Sequence, residues 1–170
     1  IFQALKYAEK HDTKVAVTVS EDFVATVFSE PLKRALAQSS LVFCNEREAC
    51  ALSGAASARE AFPILAKQYS GLVITRGPDG ALVSFDGALF SVPAFACEPL
   101  DLLGAGDMFA AGFLYGITNR VPTPKAARAA CYLAMQVVTR TGARIQTGLK
   151  DFWTEGLNAA TMEERLSAAS

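Results

Sequence analysis

An α/β fold with a mostly parallel central sheet is what the sequence predicts, on three observations. Short β-branched or apolar runs at residues 14–20, 41–44 and 72–75 are separated by segments with helical spacing, the alternation that builds βαβ units. Asp86 and Gly87, set between apolar runs at residues 81–85 and 88–92, signal a hairpin and so an antiparallel addition to that sheet. Apolar residues make up 51% and charged residues 19% of the 170, which allows a sizeable core and excludes a disordered chain.

The elements follow in order. Phe2, Leu5 and Ala8 against Lys6, Glu9 and Lys10 give an amphipathic opening helix, and residues 14–20 suit a buried strand. Ser20 is placed to cap a helix over residues 21–28, and Pro31 fits the first turn of another that reaches Ala37. The strand at residues 41–44 runs into Asn45 and a helix that passes Leu52 and stops at Gly54. Residues 57–69 read as a helix bent or restarted by Pro63. After the strand at 72–75, Arg76, Gly77, Pro78, Asp79 and Gly80 form a turn, and the hairpin strands come next. Gly104, Ala105 and Gly106 open a helix reaching Thr118. It is apolar on nearly every side, which predicts a buried central helix, with Gly112 and Gly116 permitting close approach. A helix at residues 124–139, a polar loop at 141–148 and a short terminal helical region complete the chain.

Charge excludes two partner classes. Sixteen Lys and Arg against seventeen Asp and Glu leave a net charge of −1, too even for a nucleic-acid or anionic-membrane surface. Cys44, Cys50, Cys97 and Cys131 form no C-x-x-C pair and lie in apolar surroundings, as reduced cysteines of a cytoplasmic protein do. No apolar passage approaches the roughly 18 residues of a membrane span, and no basic segment leads into a hydrophobic one at the start. His11, the sole histidine, follows a helix end, where an exposed or dipole-compensating place is expected; Tyr69, Phe152 and Trp153 are assigned to packing.

The chemistry concentrates at residues 101–113, DLLGAGDMFAAGF. No G-x-x-x-x-G-K-[ST] occurs, and Phe109 stands where a third Rossmann glycine would, so neither a P-loop nor a simple dinucleotide site fits. Small residues opening a helix let its unpaired N–H groups and positive dipole end approach an anion closely, and Asp107 in the first turn stands at the mouth of that site. By itself, an acid there is explained by dipole compensation. Asn45 with Glu48 is in the same way an ordinary capping box, and Thr75 with Gly77 and Gly80 an ordinary inter-strand turn.

Taken together, DxxGAGDxF followed by xxGF resembles the C-terminal signature of the ribokinase (PfkB) family of carbohydrate and nucleoside kinases. NERE at 45–48 looks like that family's N-x-x-E element, TRGPDG at 75–80 like its nucleotide-loop element, and TRTGAR at 139–144 like the loop bordering adenine and a monovalent cation. The stretches FAAGFLYG at 109–116 and TVSEDF at 18–23 are most similar to bacterial adenosine-kinase-like members. The resemblance implies a ribokinase-like three-layer fold. It also implies ATP-dependent phosphoryl transfer to a hydroxymethyl group of a nucleoside or a sugar.

In that scheme Asp107 is the general base, and the amides of Gly104, Ala105, Gly106 and Asp107 hold the transferring group. Asn45 and Glu48 orient hydrated Mg²⁺ or phosphate. Thr75, Gly77, Gly80, Gly142 and Ala143 border the nucleotide, and Asp101 with the loop at Gly142 and Ala143 ligates K⁺. Leu102 and Leu103 depart from the Thr the family carries after that Asp. Two rival readings stay open: a kinase for a sugar or sugar acid, and a non-catalytic nucleotide-binding piece. Family members are about twice this long, and their Gly-Gly signature is absent from these 170 residues. The chain is therefore expected to be the C-terminal nucleotide-binding and catalytic half of one ribokinase-like domain, inactive alone and prone to form a homo-oligomer or to bind a complementary N-terminal half.

Overall fold

The computed structural model describes residues 1–19 and 29–168, with side chains for 1–19 and 30–160. The predicted helix over 21–28 lies outside the described residues. Five strands form one sheet in the order β1-β2-β3-β4-β5: Ala16–Thr18, Leu41–Asn45, Leu72–Thr75, Ala81–Phe85 and Ala88–Val92. The first three run parallel, with Val17 opposite Val42 and Cys44 opposite Ile74. β4 returns antiparallel to β3, with Val83 opposite Val73. Asp86 (φ 51°) and Gly87 (φ 76°) both take positive φ, as the tightest hairpin turn demands.

One strand differs from expectation. β1 spans three residues instead of seven, and its side chains are exposed, half-buried and exposed in turn, so the buried strand expected over 14–20 is an edge strand. Among the described strands it has a neighbour on one side only, and an edge is where short, partly polar strands are tolerated.

The chain resolves into two compact units, residues 1–76 with 81–91 and residues 77–80 with 92–170. In the first, α1 (Phe2–Lys10), α2 (Ser29–Ala37), α3 (Glu46–Ser53) and α4 (Ala58–Leu65) accompany the sheet. Alternate residues Val42 and Cys44 of β2 and Leu72 and Ile74 of β3 face one way and pack with Leu36, Ala49, Leu52, Ala61, Leu65 and Tyr69. Each fully buried Leu or Ile there stabilises the fold by about 1.5–3 kcal/mol. Residues on the opposite face, Phe43, Val73 and Val83, are buried as well, which explains why β2 and β3 read as continuous apolar runs.

Helix α4 runs through Pro63 without a break from Ala58 to Leu65 and is capped at Ala66, so it is shorter than the helix expected over 57–69 and does not restart at the proline. Pro63 forfeits one hydrogen bond near the C-terminal end, and the chain closes into turns, with Gln68 and Tyr69 both donating to the Leu65 carbonyl.

The second unit holds α5 (Ala105–Thr118), α6 (Thr123–Val138) and α7 (Leu149–Ala168). Glycines set the spacing: a Cβ on Gly112 would lie 2.9 Å from Leu133 Cδ1, one on Gly116 2.5 Å from Ala126 Cβ, and one on Gly156 3.1 Å from Ala129 Cα. α5 is buried on one stripe only, Phe109, Gly112, Phe113 and Gly116, while Tyr115 is 55% exposed, so it is not the all-round buried helix expected from composition. The short terminal helical region is in fact the 20-residue α7, anchored to its neighbours by Gly156 and by Trp153 edge-on to Tyr115 at 5.2 Å.

Of the cysteines, Cys44 and Cys131 are buried and Cys50 is half-buried, but Cys97 is exposed, contrary to its apolar sequence setting. Burial, reinforced by Glu48, holds the Cys44 thiol far above its ordinary pKa.

Candidate active site

The start of α5 is built by a left-handed glycine. Gly104 is the N-cap at φ 80°, and a Cβ there would sit 2.4 Å from the Ala143 carbonyl oxygen, so both conformation and contact require glycine. No side chain caps the helix. Gly106 has an ordinary φ and nothing within 4 Å of where a Cβ would stand, and Asp107 is exposed beside it. The first turn therefore carries the positive dipole end and an exposed carboxylate with no side-chain cap, its Ala105 amide donating to the Leu102 carbonyl at 3.4 Å.

Asp101 organises the approach to that turn. Its Oδ1 accepts from the Leu103 amide at 2.9 Å and its Oδ2 from the Gly142 amide at 3.0 Å, while its own N–H donates to the Val138 carbonyl at the end of α6. The amides of Leu103 and then Gly142 hold its carboxyl below the usual range. Asp101, Gly104, Gly142 and Ala143 are thus brought together. Gly142 at φ 93° turns the 139–144 loop, and Leu102 and Leu103 are exposed, at 71% and 65%.

The turn between β3 and β4 is a single 3₁₀ turn, Gly77–Asp79, closed by the Gly80 amide donating to the Gly77 carbonyl at 3.1 Å. Its two glycines have different reasons. Gly77 (φ 56°) faces open space, whereas a Cβ on Gly80 (φ 81°) would lie 1.9 Å from the Val92 carbonyl oxygen and 2.8 Å from the Ala94 nitrogen. The close approach that requires glycine at position 80 is to the protein's own chain, not to a ligand.

In the first unit, Asn45 and Thr75 stand opposite each other at the ends of β2 and β3, and Thr75 Oγ1 donates to the Cys44 carbonyl at 3.5 Å. Asn45 Oδ1 accepts from the Glu48 amide at 2.9 Å. Glu48 Oε2 accepts from the Asn45 amide at 2.9 Å and Oε1 from Asn45 Nδ2 at 2.7 Å, a complete capping box. With Glu48 only 4% exposed and both oxygens engaged, this pair does not fit direct metal ligation. Among the described residues no cluster of three or more His, Cys, Asp or Glu forms a metal site.

Residues 1–148 match the model of the pfkB family of carbohydrate kinases, and the match takes in the α5 turn, the Asp101 loop and the capping box. The chain belongs to this family. It is 36% identical over 134 residues to a cytidine kinase of Thermococcus kodakarensis, an alignment covering 73% of this chain and 48% of that protein. Among solved structures, a probable sugar kinase from Rhizobium etli CFN 42 superposes with a TM-score of 0.84 at 27% identity, covering 91% of this chain and 48% of the other. The adenosine kinase from Sinorhizobium meliloti gives 0.82 at 26%, covering 92% and 48%. The pfkB-family chain thus has the fold of the sugar and adenosine kinases, and spans about half the length of the relatives it matches.

Two residues of weight escaped the sequence reading of this pfkB-family chain. Glu46 Oε1 accepts from the Ala58 amide at 2.9 Å, tying the start of α3 to the start of α4. Arg128, 7% exposed inside α6, donates to the Pro93 carbonyl. A lone Arg among Ala126, Ala127, Ala129 and Ala130 was the available signal.

Among the described residues no helix is long and apolar enough to cross a membrane.

Proposed function

We propose that the protein acts in ATP-dependent phosphoryl transfer to a hydroxymethyl group of a nucleoside, with Asp107 as general base. The observation that carries this reading is the uncapped first turn of α5, where Gly106 leaves room for a phosphate and Asp107 stands exposed beside it. The residues fit a nucleotide's phosphate: no side chain caps the first turn, Gly106 adds no side chain to it, and the Ala105 amide has only a long 3.4 Å bond to the Leu102 carbonyl to give up. ATP supplies the transferable phosphoryl group and Mg²⁺ its charge neutralisation; the chain's part is to position and to accept a proton.

In this scheme the amides of Gly104, Ala105, Gly106 and Asp107 stabilise charge on the transferring group, and the Asp107 carboxylate takes the proton from the acceptor hydroxyl. Asp101 holds Gly142 and Ala143 against the turn and is the residue assigned to a K⁺ site. Thr75, Gly77 and Gly80 are assigned to the nucleotide. Asn45 and Glu48 set the end of β2, and any role of theirs toward Mg²⁺ runs through its hydration shell.

Similarity to a cytidine kinase and to an adenosine kinase favours a nucleoside acceptor. A sugar is the second reading, favoured by the probable sugar kinase superposition. The test is a coupled ADP-release assay over nucleosides and sugars, on a protein of the relatives' full length carrying this chain. Nucleosides are expected to show the highest kcat/KM. A sugar preference supports the second reading, and no turnover with any acceptor overturns both.

A further inference from the structure

We propose that Arg128 is a positioning residue for the turn at residues 77–80, acting through the backbone of residues 92–94. The inference rests on the assignment of that turn to the nucleotide and adds a residue to it from 48 positions further along the chain.

Two contacts meet on one short segment. From one side, Gly80 lies so close to residues 92–94 that a Cβ would overlap the Val92 carbonyl oxygen and stand 2.8 Å from both Pro93 C and Ala94 N. The Gly80 backbone therefore lies against this segment with no room for a side chain between them, and a movement of residues 92–94 toward it would displace the turn. On the same segment, Arg128 Nη1 donates to the Pro93 carbonyl. Pro93 has no N–H, so its carbonyl is the backbone group by which that residue can be held.

The guanidinium fixes orientation as well as position. Its Cζ lies 3.4 Å from the centroid of the Phe95 ring. Phe95 in turn meets Tyr132 edge-on at 5.1 Å, and the Tyr132 hydroxyl donates to Glu155 Oε2 at 2.7 Å. Residues 93–95 are thereby pinned to α6 by a hydrogen bond and a stack, which one planar fork supplies together, while the Tyr132 hydroxyl ties α6 to α7. Burying a cation is a poor way to gain stability, because desolvation offsets most of what pairing returns. What Arg128 provides that an apolar side chain of its size lacks is a directional hold on the segment beneath the turn.

The test uses the 170-residue chain and its variants Arg128→Met, Arg128→Lys and Phe95→Leu. Thermal unfolding, Mg·ATP affinity by isothermal titration and amide exchange by NMR are read together. Folded Arg128→Met and Phe95→Leu are expected to weaken ATP binding about tenfold, equivalent to roughly 1.4 kcal/mol, and to speed Gly80 amide exchange about as much. Amides in the middle of α6 should keep their protection, which a general loss of stability would not spare. Arg128→Lys keeps the charge but not the fork, and should not rescue.

Unchanged Gly80 exchange in the folded variants overturns the proposal, whatever happens to ATP. Should Arg128→Met fail to fold, Phe95→Leu decides by the same readouts. A parent chain that binds no ATP would overturn the nucleotide assignment, while Gly80 exchange still decides whether Arg128 positions the turn.

Discussion

Gly104 and Gly106 stand two residues apart in one turn and should respond to larger side chains in opposite ways. Gly104 is left-handed and against Ala143, so Gly104→Ala is expected to cost about 1–2 kcal/mol from conformation alone, and more from the contact; thermal unfolding reads it. Gly106 has an ordinary φ and free space, so Gly106→Val should fold normally and still bind ATP at least about tenfold more weakly, because the branched side chain occupies the phosphate's place. An unchanged affinity in isothermal titration would move the phosphate site elsewhere. The sequence marked both glycines but not this division of labour, since it shows neither φ nor what lies opposite.

Asp101 carries a pH dependence whose sign follows from its two amide donors. Its folded pKa is lowered, so its contribution to stability is fully present above the ordinary aspartate value of about 4 and fades as pH falls through the lowered one. The Tm difference between the parent and Asp101→Asn is expected to be constant from neutral pH down to about 5 and to shrink below that. A difference independent of pH would mean the carboxylate's charge plays no part in holding Leu103 and Gly142.

At the scale of the element, the capping box of α3 makes an unusual demand. Asp is ordinarily as good an N-cap as Asn. Here Asn45 Nδ2 donates to the buried Glu48, so Asn45→Asp removes that donor and sets two carboxylates face to face. A loss of about 1–3 kcal/mol is expected in urea unfolding, where a simple cap would show almost none.

Elements with local signals were legible: Asn45 with Glu48, Gly54 ending α3, Asp86 with Gly87, and the glycines opening α5. What sequence did not settle depended on neighbours distant in the chain. β1 is exposed because, among the described strands, only β2 pairs with it, and α5 shows one apolar face because burial is set by what packs on it. α7 runs long because Gly156 and Trp153 dock it, not because its own periodicity is strong. Arg128 stood out among its alanines, but its role was not legible for the same reason: its partners, Pro93 and Phe95, lie more than thirty residues away.

For the whole molecule, the pfkB-family match and the coverage of about half of each relative set what this chain is asked to do. Its unit of residues 77–80 and 92–170 holds the uncapped helix and the turn proposed to border the nucleotide, so under that proposal ATP binding is expected from these 170 residues. Transfer also requires an acceptor hydroxyl held near Asp107, and positioning of that kind is worth about 7–11 kcal/mol of barrier.

The general-base role of Asp107 is tested most directly by Asp107→Asn in a protein of the relatives' full length carrying this chain, comparing kcat for its best acceptor at saturating ATP. The expected result is a fall of roughly a hundred- to ten-thousandfold with ATP affinity nearly unchanged. Turnover within about threefold of the parent would reduce Asp107 to a partner of the helix dipole and contradict its assignment as the base.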